Sequence, residues 1–234
     1  RQTNSLESDL AGIRFSFQQD RNTSSFTKNT RVERTRVFCL LLKGRKQFLF
    51  SRQKIWYTKI SFMEWKGRTS LMRVVHTSDW HIGKVLNDYS LLEDQAWILE
   101  QLKQFLKEQK ADVLIIAGDL YDRKVPPAQA VDLLDKALSG IIQETGVKIL
   151  AVAGNHDSPQ RLAFASGLYR QSGLYLCAKY SREIETITLN DEYGEIVFHL
   201  MPYADPSQIR ADLEDDSLKG ANEAVGRLLS LHEP

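Results

Sequence analysis

The 234-residue chain is 42% hydrophobic with a mean hydropathy of −0.35, the profile of a globular domain with an appendage, and no apolar run approaches the roughly 18 residues that span a bilayer. Two cysteines, Cys39 and Cys177, exclude a disulfide framework or a thiolate cluster and make a reducing cytoplasm the expected compartment. The net charge of +1 conceals a division: residues 1–71 carry 15 basic and 5 acidic residues, leaving 16 of the 31 basic and 25 of the 30 acidic residues, a balance of −9, for 72–234.

Residues 1–36 scatter Thr, Ser, Asn, Gln and Arg without period. Hydrophobic residues from 37 to 65 keep neither helical nor strand spacing. A basic balance admits a nucleic-acid-binding arm. The reading adopted is instead a non-native or disordered segment, an upstream frame translated ahead of Met72. Periodicity sets in abruptly at Met72, and Lys66-Gly67-Arg68 fits a purine-rich ribosome-binding stretch just before it. The expected boundaries are therefore 1–71 and 72–234.

From Met72 the chain opens a strand that ends in Thr77-Ser78-Asp79. A helix over 90–109 follows, with Leu92, Ala96, Leu99, Leu102, Phe105 and Leu106 at three- and four-residue steps and a Ser90/Glu93 capping box. That stripe suits packing against a sheet or a homodimer face. A doubly buried strand is expected over 112–117, a helix over 127–144, a strand over 147–152, and a third helix after Ser158-Pro159. Alternation over 184–189, a turn at 191–194 and a return over 195–200 predict an antiparallel hairpin, and a last helix is expected over 219–231. The fold class is α/β: a βαβαβ parallel core joined to a hairpin.

Each of the first three strands ends in a polar cluster: Asp79-Trp80-His81, then Gly118-Asp119 with Asp122 nearby, then Gly154-Asn155-His156-Asp157. Ligands of open α/β sheets bind at the carboxyl ends of strands, so these donors face one crevice. Asp79 and Asp119 placed together repel unless a cation lies between them. A binuclear metal site follows, with Asp119 able to bridge, Asn155 offering an amide oxygen, and His156 left to stabilise developing phosphorane charge or protonate a leaving oxygen. D-x-H and G-D are weak alone; G-N-H-D is rarer, and the ordered set at three strand ends is specific.

These residues resemble the calcineurin-like metallophosphoesterases. Within them, His76-Thr-Ser-Asp-Trp-His-Ile-Gly83, Ala117-Gly-Asp-Leu-Tyr-Asp122 with Pro126-Pro127, Gly154-Asn-His-Asp-Ser-Pro159 and Met201-Pro-Tyr-Ala-Asp-Pro206 are similar to the SbcD-type nuclease subunits. The resemblance covers 72–234 and none of 1–71. It implies a manganese-dependent exonuclease and endonuclease acting on DNA ends with an SbcC-type ATPase, and a family in which dimers occur. By position it implies Asp79, His81, Asp119 and Asn155 as metal ligands for two divalent ions, with His156 catalytic and oriented by Asp157.

The family pattern also calls for a further histidine and a Gly-His-x-His signature, which 72–234 lacks. An incomplete phosphoesterase sandwich is thus expected, truncated before the last ligands, with weak metal binding and poor nuclease activity. His76, His199 and His232 read as structural or surface histidines. Two other readings stay open: another phosphoesterase of the family (a protein phosphatase or cyclic-nucleotide phosphodiesterase), or a non-catalytic DNA-end scaffold. The −9 balance argues against autonomous DNA binding.

Overall fold

The computed structural model describes residues 35–40, 61–63 and 72–232, and of the first two stretches the backbone alone. The expectation for 1–71 therefore lies mostly outside the described residues. Two strands from that segment are described: β1 (Thr35–Leu40) and β2 (Ser61–Met63). There follow β3 (Val74–Thr77), the short pair β4 (Val85–Leu86) and β5 (Tyr89–Ser90), α1 (Leu92–Gln109), β6 (Val113–Ala117), α2 (Ala128–Thr145) and β7 (Lys148–Val152). Then come α3 (Pro159–Leu162), α4 (Ser166–Tyr169), β8 (Leu174–Cys177), the hairpin β9 (Glu185–Asp191) and β10 (Gly194–Met201), α5 (Pro206–Leu213) and α6 (Ala221–Ser230).

The main sheet has the order β2-β3-β6-β7-β8, with β3, β6, β7 and β8 parallel and β2 antiparallel at the edge. Its central strands β6 and β7 are apolar on both faces, and their two-residue period decides which layer each side chain joins. On β6, Leu114 and Ile116 face α1 and α2 beside Ile149 and Ala151 of β7. Val113, Ile115 and Ala117 face the other way, packing with Leu150 and Val152 against Ile187, Leu189, Phe198 and Leu200 of the hairpin. Each fully buried side chain of this size contributes about 1.5–3 kcal/mol. Both helices thus lie on one face, and the second face is closed by the three-stranded sheet β1-β10-β9, in which β1 runs parallel to β10. The result is an α/β sandwich.

Of the stripe on α1, Leu99, Leu102 and Leu106 are buried in the helix-side core, Leu92 and Phe105 are half-buried against it, and Ala96 is exposed. The Ser90/Glu93 capping box does not form. Ser90 pairs with Val85 in the β4-β5 ladder, so Leu91 takes the cap position without a side-chain bond. Several elements go beyond the sequence expectation, among them β8 and α5. β8 is too short to show a period and is set by its pairing with β7. α5 starts at Asp205-Pro206, where the Asp205 carboxylate accepts from the Ser207 amide.

Candidate metal centre

The loop after β3 turns back on itself through left-handed residues: φ is 58° at Asp79, 46° at His81 and 88° at Gly83. Non-glycine residues in that region cost on the order of 1–3 kcal/mol each and persist only where surroundings over-determine them. The loop after β6 does so from one side. Gly118, Asp119 and Leu120 carbonyls accept from the amides of Asp79, His81 and Ile82 at 3.1, 2.9 and 2.9 Å. Gly118 and Asp119 are left-handed too, at 86° and 51°. Below them, fully buried Thr77 accepts the Trp80 indole N–H at 2.6 Å, which tucks Trp80 into the core and turns Asp79 and His81 outward.

The third loop closes on the same point. Asp119 Oδ1 accepts the His156 amide at 2.9 Å. A Cβ on Gly154 would lie 2.0 Å from that oxygen, so glycine alone allows the approach. Asn155 is thereby held between two residues that touch Asp119.

His81 Nε2 lies 3.8 Å from Asp79 Oδ1 and 3.8 Å from Asp119 Oδ2. That is beyond a hydrogen bond. It is close to the spacing of donors that share one cation, roughly 3–3.5 Å for bonds of about 2.1 Å. Asp119 is buried, and the His81 imidazole faces both it and Asp79. His81 holds the Asp79 carboxyl below its ordinary range, against the opposing effect of burial. Asn155 Oδ1 is buried without a hydrogen-bond partner. An acceptor left so costs about 1–3 kcal/mol unless a cation takes it. Hard oxygens, an imidazole and an orphaned amide oxygen fit a divalent ion.

His156 is exposed and stands edge-on to His81, with ring centroids 4.8 Å apart and planes at 89°. Its Nδ1 meets the Asp122 carbonyl at 2.9 Å. A carbonyl only accepts, so Nδ1 carries the proton and Nε2 is the working nitrogen.

The expected orientation of His156 by Asp157 is corrected here. Asp157 is buried, and its carboxylate accepts backbone amides of Leu120 at 3.1 Å, Tyr121 at 2.9 Å and Gly154 at 2.8 Å. With three N–H groups converging on it, it has become the rivet between the second and third loops. Burial pushes its carboxyl up, and those three amides pull it back.

Asp122, placed near the second cluster by the sequence but given no role, joins the site. Its Oδ1 lies 3.6 Å from His81 Nδ1 and 3.8 Å from Lys84 Nζ, and with His81 and His156 it forms a second group able to hold a metal. The bridge between Ile82 and Tyr121 brings it there. Its third place after Asp119 was the available signal. The other histidines take no part: His76 and His199 sit within β3 and β10, and His232 caps α6 by bonding the Leu228 carbonyl and the Ile184 amide.

Residues 72–222 match the calcineurin-like phosphoesterase family. The chain belongs to that family. The SbcD component of the nuclease SbcCD from Staphylococcus saprophyticus is 34% identical over 163 residues, covering 69% of this chain and 42% of that protein. The chain thus spans less than half the length of that curated relative. Among the described residues, Asp79–His81–Asp119 and His81–Asp122–His156 are the groupings able to hold a metal ion.

Proposed function

We propose that the chain is a metal-dependent DNA nuclease subunit, cleaving phosphodiester bonds at DNA ends with two divalent ions, most suitably Mn2+, in partnership with an SbcC-type ATPase. The convergence of Asp79, His81 and Asp119 beside the orphaned Asn155 oxygen carries the reading. The relative named as a nuclease component supplies the substrate class.

In this reading Asp79, His81, Asp119 and Asn155 would hold the two ions. Bound ions would polarise the phosphate and lower the pKa of an attacking water. His156 keeps Nδ1–H on the Asp122 carbonyl and presents Nε2 to solvent, where it can hold a proton toward the leaving oxygen. Asp157 acts only through the loops it rivets. The −9 balance of 72–234 means that a basic partner must supply much of the attraction to DNA. Among the described residues no helix is long and apolar enough to cross a membrane. A cytoplasmic setting suits the proposed substrate.

The test is digestion of linear duplex DNA in Mn2+ beside small phosphoesters and cyclic nucleotides, with Asp119→Ala as the blank. DNA shortening lost in the variant is expected. Turnover of cyclic nucleotides or phosphopeptides without DNA cleavage would move the protein to another branch of the family. DNA binding without cleavage would favour a scaffold.

A further inference from the structure

The strained loop that carries Asp79 and His81 is braced on its second side by a single side chain. Gln95 lies in the first turn of α1, its amide on the Leu91 carbonyl at 2.8 Å. Its Oε1 accepts the Gly83 amide at 2.9 Å, and its Nε2 donates to the Trp80 carbonyl at 3.2 Å and the His81 carbonyl at 2.8 Å. One primary amide thus satisfies three backbone groups spanning His81. The reverse orientation of the amide is excluded by chemistry, since it would set an oxygen against two carbonyls and an NH2 against an N–H.

We propose that Gln95 is a positioning residue for the metal ligand His81, an inference that rests on the metal-centre reading. His81 sits at φ 46° between Asp79 at 58° and Gly83 at 88°. A loop in those wells springs toward extended backbone unless it is held. The carbonyls after β6 hold its amides, and Gln95 holds the opposite polar groups. The helix behind Gln95 is anchored by Leu99, Leu102 and Leu106 in the core, so the ring of His81 inherits the rigidity of α1. No other residue type serves equally. Glutamate has no donors, lysine has no acceptor, and asparagine is shorter by one methylene. Outer partners that orient a ligand typically contribute 10–100-fold in metal affinity.

The experiment is Mn2+ titration of the whole chain, following the free-ion paramagnetic resonance signal. Wild type is compared with Gln95→Met and Gln95→Glu, with Gln104→Met as a helix-surface control and Asp119→Ala as the reference for the metal centre. Both Gln95 variants should bind Mn2+ 10–100-fold more weakly while Gln104→Met matches wild type. Amide exchange in EDTA gives a readout independent of metal: Gly83 should lose protection in both Gln95 variants while Val113–Ala117 keep theirs. Wild-type Mn2+ affinity in both variants overturns the proposal. So does weakening accompanied by equal loss of protection over Val113–Ala117, because then the fold and not the loop has yielded. Undiminished binding by Asp119→Ala, or no binding by wild type, overturns the metal-centre reading itself. Loss in Asp119→Ala with none in the Gln95 variants removes this inference alone.

Discussion

Both ends of the parallel sheet are lined with left-handed residues, and they differ in what those residues do. At the amino end they stop helices and turns. Lys110 at φ 50° bonds the Leu106 and Lys107 carbonyls, Gly146 at 72° bonds Ile142, and Gly173 at 91° bonds Arg170. Each settles carbonyls that a helix end leaves open. At the carboxyl end Asp79, His81, Gly118 and Asp119 end no helix. Their amides and carbonyls pair loop to loop, and their side chains face one another at distances too long for hydrogen bonds. The same conformation completes the fold at one end and, in the proposed metal-centre reading, stores strain for a ligand at the other.

If that contrast holds, substitutions at the carboxyl end should remove function and leave stability nearly intact. If the proposed activity is present, Asp119→Ala should bring Mn2+-dependent phosphodiester cleavage down to the level seen in EDTA. Its urea midpoint in EDTA should stay within the equivalent of about 1 kcal/mol of wild type, because the buried carboxylate it removes is poorly compensated without a cation. Unfolding in EDTA at a much lower midpoint would break the comparison.

The fourth parallel strand is the internal control. β8 ends in Cys177, whose buried thiol faces the Leu200 carbonyl and has no ligand neighbours at the site. Burial first, then nearby Glu185, pushes this thiol up to about 12. At pH 8 alkylation of the folded protein should run about a thousandfold slower than that of the unfolded chain, whose thiol titrates near 8.5, as peptide-resolved mass spectrometry would report. The folded state keeps a proton that the unfolded chain gives up. The thiol's contribution to stability is therefore complete below about pH 8.5 and declines as pH rises from there toward 12. Rapid labelling at pH 8 would show that this end of the sheet is open.

Asp157 sharpens the comparison by being an exception within it. It belongs to Gly154-Asn-His-Asp157, yet its carboxylate ties Leu120, Tyr121 and Gly154 together. Asp157→Ala should cost about 3 kcal/mol by leaving three buried amides open, measured by urea unfolding in EDTA. Stability unchanged by this variant would mean that the rivet bears nothing.

The strands and their polar ends were legible because period and position are local properties: Val113–Ala117 announces a doubly buried strand, and Asp119 follows it directly. Asp157 was placed at the site for the same reason and given the wrong partner. Two of its three amides lie 36 and 37 residues upstream, beyond any spacing that reports side chain to backbone contact, and only Gly154 is local. Gln95 drew no notice in the sequence, since nothing in its neighbours announces a loop 12 to 15 residues earlier. Ser90 shows the opposite failure. Its local capping signal was real and lost to pairing with Val85.

The smallest effect tests the amino end. Lys110 holds a left-handed conformation that a side chain resists, and it is exposed, so its Cβ gains no packing in return. Lys110→Gly removes the steric cost while keeping the amide bonds to Leu106 and Lys107. Glycine also gives the unfolded chain more freedom, which offsets part of the gain. The net expectation is a stabilisation of about 0.5 kcal/mol by urea unfolding, with Mn2+ affinity and cleavage unchanged. Altered metal affinity in this variant would couple the two ends of the sheet and undo their separation. Gly146→Ala should act in the opposite sense by about 1 kcal/mol, because it imposes at φ 72° the cost that Lys110 already bears.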